Sequence, residues 1–337
     1  MDPSYNVLVT GAAGHLGTAL MLALPGLGFQ PFGIDILASP TTTAVGSITD
    51  RAFIRNLLQG SRITHVIHAA TLHKPHVGSH TKADFIDTNI TGTLVLLEEA
   101  AALLPQMSSF LFLSTTSAFG TALAPAPGTP AAWIDEDVVP QPKNIYGVTK
   151  VAAEDMCLLV HQQTGLPVLV LRTSRFFPET DDDDVRAAAF DDANLKVLEL
   201  AYRRVDLEDV VSACVCGMAR ARALGWARYV VSAPPPFASS RDAETLAALD
   251  RDPASVLRAL VPGVDAVFQA RGWAYLSRID RVYDSSKAVR ELGWRPKYTF
   301  AETVAMLAEG REWRSELTVK VGKRGYHAEN TGVYTQR

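Results

Sequence analysis

The sequence predicts an α/β fold, a mostly parallel and doubly wound sheet with a smaller C-terminal lobe. Three observations predict it. From Tyr5 to Arg172, short β-rich runs alternate with helical stretches, the pattern of successive strand-helix-strand units. A glycine-rich turn, Gly11-Ala12-Ala13-Gly14-His15-Leu16-Gly17, joins the first strand to the first helix. The 337 residues, 47% of them hydrophobic, suffice to bury a full core of this kind with a lobe appended.

The first strand is expected over Asn6 to Thr10, and the helix after the glycine turn over His15 to Leu24. Phe32 to Asp35 reads as the second strand. A helix over Asp50 to Leu58 leads to a strand at His65 to His68, then to a helix from Lys82 to Leu104 and a strand from Phe110 to Ser114. Ala124 to Pro142 is too rich in turn residues to be regular. The next helix, carrying Tyr146 and Lys150, runs to Gln163, where Gly165 and Pro167 end it before a strand at Val168 to Arg172. A further pair, Asp209 to Leu224 and Arg228 to Ser232, returns to the sheet. Pro234-Pro235-Pro236 reads as the linker to the lobe, whose content is short helices such as Ala243 to Leu249, Pro253 to Leu260 and Ser286 to Leu292. The segment after about Lys320 is polar and expected to be loosely held. The expected division is therefore residues 1–175, a short lobe segment at 176–208, the returning pair at 209–233, and the lobe and tail at 234–337.

A net charge of −4 offers no basic field for a phosphate backbone, so nucleic acid is not expected as a partner. Cys157, Cys214 and Cys216 fall in helical stretches and suit buried thiols in a reducing compartment better than a disulfide framework. No apolar window approaches the ~18 residues of a membrane span, and no basic stretch followed by an apolar run precedes the first strand. The expectation is a soluble, cytoplasmic protein without a membrane partner.

In the turn, Gly11 permits a tight strand-to-helix reversal, Gly14 lets backbone approach a pyrophosphate, and Gly17 lets helix and strand pack closely. A pyrophosphate then meets the free N–H groups at the helix N-terminus. Asp35 ends the second strand, where an acid accepts hydrogen bonds from a ribose 2′-hydroxyl and repels a 2′-phosphate, and no arginine follows it. These features make the first half a Rossmann-type dinucleotide site and favour NAD over NADP. Tyr146 and Lys150, four apart, share one helix face. A phenol beside an ammonium and a bound nicotinamide cation has its charged form favoured, so its pKa, about 10 when unperturbed, should fall toward neutrality. Such a phenol exchanges a proton with a substrate alcohol.

Thr10 to Gly17, His68-Ala69-Ala70, Asn89, Ser114-Thr115-Thr116-Ser117-Ala118-Phe119-Gly120 and Tyr146 to Lys150 occur in an order that resembles the extended short-chain dehydrogenase/reductase family. This is the group of NAD-dependent nucleotide-sugar epimerases and dehydratases. The resemblance covers about residues 5 to 233, with a weaker echo at Leu292-Gly293-Trp294-Arg295-Pro296. It implies that Tyr146 is the acid/base, that Lys150 holds the nicotinamide ribose and lowers the tyrosine pKa, and that Thr115 hydrogen-bonds the substrate oxygen. It implies a cofactor site of Gly11, Ala13, Gly14, His15, Leu16, Gly17, Asp35, Ser47, Ile48, Ala69, Ala70 and Asn89 with Tyr146 and Lys150. Ser47 stands where the family often has an acid touching the adenine amino group. In the dehydratase branch an Asp-Glu pair follows the catalytic threonine; here those positions are Thr116 and Ser117, which turns the expectation from dehydration toward 4-epimerisation. The resemblance also implies a homodimer built on the helices around residues 82–104 and 145–163.

Substrate contacts are expected from Lys74, Thr115, Thr116 and Arg175. Arg175 stands where nucleotide-sugar enzymes of the family commonly carry an asparagine, and its planar fork suits phosphate or carboxylate. A salt bridge from Arg175 to the run Asp181 to Asp184 is the equally weighted alternative. Between Arg175 and Tyr202-Arg203-Arg204 there is too little chain for the usual segment that wraps a uridine or thymidine. The substrate is thus expected to be a sugar or small polyol derivative, with or without a nucleotide, its anionic or hydroxylated end met by Arg175, Arg203 or Arg204. His65, His68, His73, His76 and His80 match no familiar zinc spacing, and Asp181 to Asp184 lacks the ligand alternation of a calcium loop, so no metal is expected. Trp273 and Trp294 read as core. The leading reading is an NAD-dependent sugar epimerase; a one-way dehydrogenase of a smaller sugar or polyol, and a cofactor-binding regulator without chemistry, are the alternatives.

Overall fold

The computed structural model describes residues 6–179, 188–237 and 242–324. Seven strands form one parallel sheet: β1 (Val7–Thr10), β2 (Pro31–Asp35), β3 (Ala44–Val45), β4 (His65–His68), β5 (Ser109–Thr115), β7 (Val168–Thr173) and β8 (Trp226–Val231), the intervening β6 (Ala132–Ile134) lying elsewhere. Their order is β3-β2-β1-β4-β5-β7-β8. The chain thus winds outward in both directions from β1 and β4, and the crevice at their C-terminal ends is where ligands bind in such sheets. Strand alternation sorts the side chains onto two faces. Val7, Val9, Ile67, Leu111, Leu113, Leu169 and Leu171 pack on one side with α1 (His15–Ala23). Leu8, Val66, Phe110, Phe112, Val168 and Val170 pack on the other with α2 (Arg51–Gln59).

Lys82 to Leu104, expected as one helix, is α3 (Lys82–Ile86), a π-helical turn at Asp87–Thr91, and α4 (Gly92–Ala101). The helix carrying Tyr146 and Lys150 is α5 (Ile145–Thr164), capped by the Asn144 side chain, which accepts from the Gly147 amide at 3.0 Å, and ended by Gly165 at φ 76°. Past β7 come α6 (Asp192–Leu200) and α7 (Leu207–Leu224), with Asp206 as N-cap of α7. The outer edge of β8 is blunted by side chains: Glu136 accepts the Val230 amide at 2.7 Å and Lys287 donates to the Arg228 carbonyl at 3.1 Å.

The lobe is built from α8 (Ala243–Arg251), α9 (Pro253–Leu260), α10 (Val264–Arg271) and α12 (Phe300–Ala308), whereas α11 (Ser286–Leu292), expected in the lobe, and α13 (Glu316–Val321) pack into the sheet's apolar cluster through Ala288, Leu292 and Val321. The lobe's own apolar cluster takes Leu195, Val197 and Leu198 from α6 as well as Phe237, Leu249, Phe268 and Phe300. Two further expectations are corrected here. The proline-rich stretch Ala124 to Pro142 contains β6, which pairs in parallel with β9 (Arg281–Tyr283), because a partner strand 150 residues away completes a ladder that local turn chemistry could not reveal. Pro234 to Pro236 is no free linker, since Ala233 and Phe237 on either side are fully buried. Asp181 to Asp184 and residues 325–337 lie outside the described residues. No described helix is long and apolar enough to cross a membrane. Cys157 and Cys214 are buried and Cys216 half-buried, all three as free thiols.

Candidate active site

The glycine turn is sterically compulsory. Gly11 has φ 74°, and a Cβ on it would lie 2.8 Å from the Ala70 amide nitrogen; a Cβ on Gly17 would lie 1.9 Å from the Gly11 carbonyl oxygen. Gly14 is the N-cap of α1 and brings no side-chain acceptor, so the first amides of the helix face the cavity without a competing cap. That cavity, about 410 Å³, runs along the C-terminal ends of the central strands. Of the residues expected to bind cofactor or substrate, Asn89 and Lys150 do not line it, and of the three arginines offered to the substrate's anionic end Arg175 lines it while Arg203 and Arg204 do not.

At one end, Asp35 Oδ2 accepts from the Ala13 amide at 3.0 Å and Oδ1 from the Leu37 amide at 2.9 Å. Burial raises this carboxyl and the backbone donors pull it back. The two amides fix the carboxylate beside the glycine turn, with acceptor capacity remaining for a diol. Ser47 shares its hydroxyl with Thr49 at 2.7 Å, while Ile48 is buried against Gly92, where a Cβ would come within 2.6 Å of its side chain. Ala69 and Ala70 continue β4 into the cavity wall, and the Ala70 amide donates to Thr10 Oγ1 at 3.1 Å. These groups fit a dinucleotide: uncapped helix amides for a pyrophosphate and a fixed carboxylate one strand away for a ribose.

At the other end sit Thr115, the last residue of β5, and Tyr146, in the first turn of α5. The Thr115 hydroxyl lies close enough to the Tyr146 phenol to draw its pKa down, and Thr115 Oγ1 accepts from the Ser117 amide at 3.0 Å. Thr116 is buried beside them and Ser114 Oγ donates to Glu154. Lys150 lies beneath, 2% exposed, its Nζ donating to the Leu113 carbonyl at 2.7 Å and resting 3.9 Å from the Phe112 ring centroid. Burial pushes the Tyr146 phenol up to about 12, with the Thr115 hydroxyl drawing it partly back. The expected fall was for a phenol beside a bound nicotinamide cation; by themselves the protein's own groups desolvate the phenolate more than they stabilise it, the ammonium being held by a carbonyl and a ring. Burial also brings Lys150 down to about 7, against the opposing pull of Glu154.

Asn89 is wholly engaged. Its Oδ1 accepts from Thr71 Oγ1 at 2.9 Å and the Leu72 amide at 2.8 Å; its Nδ2 donates to the Leu72 carbonyl at 2.9 Å and Thr149 Oγ1 at 3.0 Å. It supports the site from behind by tying the loop after β4 to α5, and the π-turn is what aims it there.

On the substrate side, Lys74 is exposed at the cavity rim and Arg175 lines the wall. Arg175 Nη1 contacts Glu199 at 3.1 Å; Arg203 and Arg204 reach the same carboxylate at 2.5 and 2.8 Å. Glu199 is fully buried, and these three guanidinium groups hold it well below the usual carboxylate range. Among the described residues Arg175 thus has a structural anchor in Glu199 while its side chain stays 25% exposed toward the cavity; the run Asp181 to Asp184, its other expected partner, is outside them. His65 is bonded to Ser109 and His68 bridges Thr10 and Thr93, so both serve the strands. His73 and His76 pack ring to ring at 4.5 Å in the cavity wall. Among the described residues no three His, Cys, Asp or Glu side chains are grouped to hold a metal. Trp294 is fully buried and Trp273 packs on Phe268.

Several site features escape the sequence. His15, inside the glycine turn, lies 2.8 Å from Glu179 and edge-on to Phe177 at 5.3 Å, joining the turn to the segment that follows β7. Thr173, Ser174, Phe176 and Phe177 complete the wall. The one signal available was their position just past a strand end, where such sheets carry their sites.

A model of the NAD dependent epimerase/dehydratase family matches residues 7–231. UDP-glucuronate 4-epimerase 3 of Arabidopsis thaliana is 27% identical over 185 residues, covering 50% of this chain; the chain spans only 41% of that protein's length. An uncharacterized protein of Sinorhizobium fredii is 26% identical over 344 residues, 95% of this chain and 81% of its own. Among solved structures, UDP-glucose 4-epimerase from Thermotoga maritima with UDP-glucose superposes at a TM-score of 0.60 and 21% identity, over 90% of this chain and 97% of that one.

Proposed function

The chain belongs to the NAD dependent epimerase/dehydratase family, and on that footing we propose that it inverts a secondary-alcohol carbon of a sugar or sugar nucleotide, in a 4-epimerase-like reaction with Tyr146 as acid/base. The observation that carries this reading is the placement of Thr115 and Tyr146 together at one end of a cavity whose other end is the glycine turn and Asp35. When bound, NAD accepts a hydride and returns it, and its cationic ring favours an anionic phenol beside it. The helix amides from Gly14 to Leu16 hold the pyrophosphate and Asp35 the adenosine ribose. Tyr146 takes the hydroxyl proton, Thr115 hydrogen-bonds the same oxygen, and Lys150 supplies positive charge that offsets part of the burial penalty on the phenolate. Inversion would be completed when the ketone, turned over in the site, regains the hydride on its other face and the proton from Tyr146, with no net redox change.

Two supports favour inversion over elimination. The curated relatives named above include a 4-epimerase, and Thr116 and Ser117 follow Thr115. Among the described residues lining the cavity the carboxylates are Asp35 and Asp87. Arg175 and Lys74 are assigned to an anionic or hydroxylated end of the substrate. The brevity of the segment between β7 and α7, holding α6 alone among the described elements, favours a second reading, a one-way dehydrogenase of a smaller non-nucleotide sugar. Free thiols suit a cytoplasmic setting. The exposed Ile86 on α3 and Val148 and Leu159 on α5 suit a homodimer through these helices.

Turnover of a panel of UDP-hexoses, UDP-uronates and free sugars, in wild type and Tyr146→Phe, tests the assignment. The variant is expected to lose about 10²- to 10⁴-fold in kcat while keeping its NAD affinity. Undiminished turnover in Tyr146→Phe refutes it.

A further inference from the structure

Tyr146 and Lys150 have a third partner on their face of α5. Glu154, one turn beyond Lys150, is fully buried, as Lys150 nearly is. Its Oε1 accepts from Ser114 Oγ at 2.5 Å and from Arg172 Nε at 3.1 Å, and its Oε2 accepts from Arg172 Nη2 at 2.7 Å. Arg228 Nε lies 3.3 Å from Oε2. A solvent-facing helix would have no use for this carboxylate; here it grips two strands at once.

The grip falls next to the reacting groups. Ser114 precedes Thr115 on β5, and Arg172 precedes Thr173 on β7, whose hydroxyl donates to the Ser114 carbonyl at 3.1 Å. Lys150 takes hold of β5 one residue earlier, at the Leu113 carbonyl. Two successive turns of α5 are therefore bolted to two consecutive residues of β5, Leu113 and Ser114, immediately before Thr115, which sets the Thr115–Tyr146 separation.

Charge adds a second consequence. The titratable and charged groups around Lys150 and Glu154 are Tyr146, Asp155 and Cys157 on α5, His68 on β4, Arg172 on β7 and Arg228 on β8. Burial drives His68 well below its ordinary value and raises Cys157, so both are neutral, and Asp155 is exposed and paired with Arg228. Glu154 is thus the buried anion among three cations.

We propose that Glu154 is a positioning residue for hydride transfer: through Ser114 and Arg172 it fixes Thr115 against Tyr146, and its charge keeps Lys150 an ammonium. The proposal rests on the assignment of Tyr146 and Lys150 above. The Glu154 carboxylate favours the Lys150 ammonium against the burial that disfavours it.

The test is kcat and KM against pH for Glu154→Gln, with folding checked by circular dichroism and NAD affinity by calorimetry. The expected result is a folded variant with KM within about threefold of wild type, kcat down about 10- to 100-fold, and the alkaline limb of kcat moved to lower pH by about one unit or more. A folded variant with wild-type kcat and an unmoved limb overturns the proposal. If Glu154→Gln does not fold, Ser114→Ala decides: it leaves the charge and removes the strand grip, so kcat should fall several-fold with the pH limb unmoved, and full kcat overturns the positioning role. Tyr146→Phe in the same assay separates the failures. Loss of activity there alongside an unaffected Glu154→Gln sinks this proposal alone, whereas activity retained in Tyr146→Phe sinks the assignment on which it rests.

Discussion

At Tyr146, burial and the proposed acid/base role pull in opposite directions. The packing that excludes water from the site raises the phenol to about 12, so the useful phenolate depends on positive charge brought close to it. Lys150 shows the same conflict from the other side, brought down to about 7 by burial. Its folded pKa lies below its unfolded one, so between about pH 7 and 10.5 the unfolded chain binds more protons and this residue's contribution to stability rises with pH. Activity runs the other way, since the ammonium is lost over the same window. Lys150→Met should therefore abolish turnover while leaving the thermal midpoint unchanged or higher, read by scanning calorimetry; a large fall in the midpoint would contradict this account. The glycine turn, Asp35, Tyr146 and Lys150 were legible because each is a local pattern whose spacing alone states its geometry. Glu154, His15 and the Glu199 cluster were not, because each meaning is supplied by residues remote in sequence, such as Arg172 or Glu179.

The elements are held by polar clamps more than by propensity. Asp206, the N-cap of α7, accepts from the Glu208 amide and also from the Ser315 amide, Ser315 Oγ and Thr318 Oγ1, so it anchors the start of α13. Asp209 accepts the Lys297 and Tyr298 amides at 2.8 and 2.9 Å and holds the turn after Trp294. Asp206→Ala should cost about 2–4 kcal/mol, seen as a lower denaturation midpoint, with the cofactor site unaffected; a change under 0.5 kcal/mol would mean that the clamp is not limiting. Asn89→Ala should instead act on catalysis, lowering kcat about tenfold by freeing the loop after β4 from α5. The strands of the sheet other than β3 were readable from β-rich runs and from the turns between them. What was missed, β3, β6, β9, the π-turn and the helices α6, α10, α12 and α13, is structure that distant packing imposes on weak local signals.

Across the whole molecule, the sheet carries the cofactor half of the site and the segment from Arg175 to Arg204 joins it to the lobe. Glu199 is the charged centre of that junction. Its carboxyl is depressed by Arg203, Arg204 and Arg175, so its stabilising contribution is present above the unfolded carboxyl value and is lost as pH falls. Glu199→Gln should cost about 3–5 kcal/mol at neutral pH and less as the medium is acidified, a trend that denaturation at several pH values would show. A cost that grows on acidification would contradict the assigned charge state. The lobe's cluster draws on α6, inside the segment 176–208 that the sequence already gives to the lobe, whereas α11 and α13 were harder to place because they pack with the sheet.

The central claim is inversion of an alcohol carbon by hydride transfer with nothing consumed. Proton NMR of the purified protein with candidate sugar nucleotides and free sugars in D₂O, without added NAD, tests it most directly. The account predicts an epimeric product that keeps its original carbon-bound hydrogen, with no accumulation of reduced cofactor. Deuterium at the inverted carbon, or reduced cofactor formed in proportion to substrate lost, would contradict it.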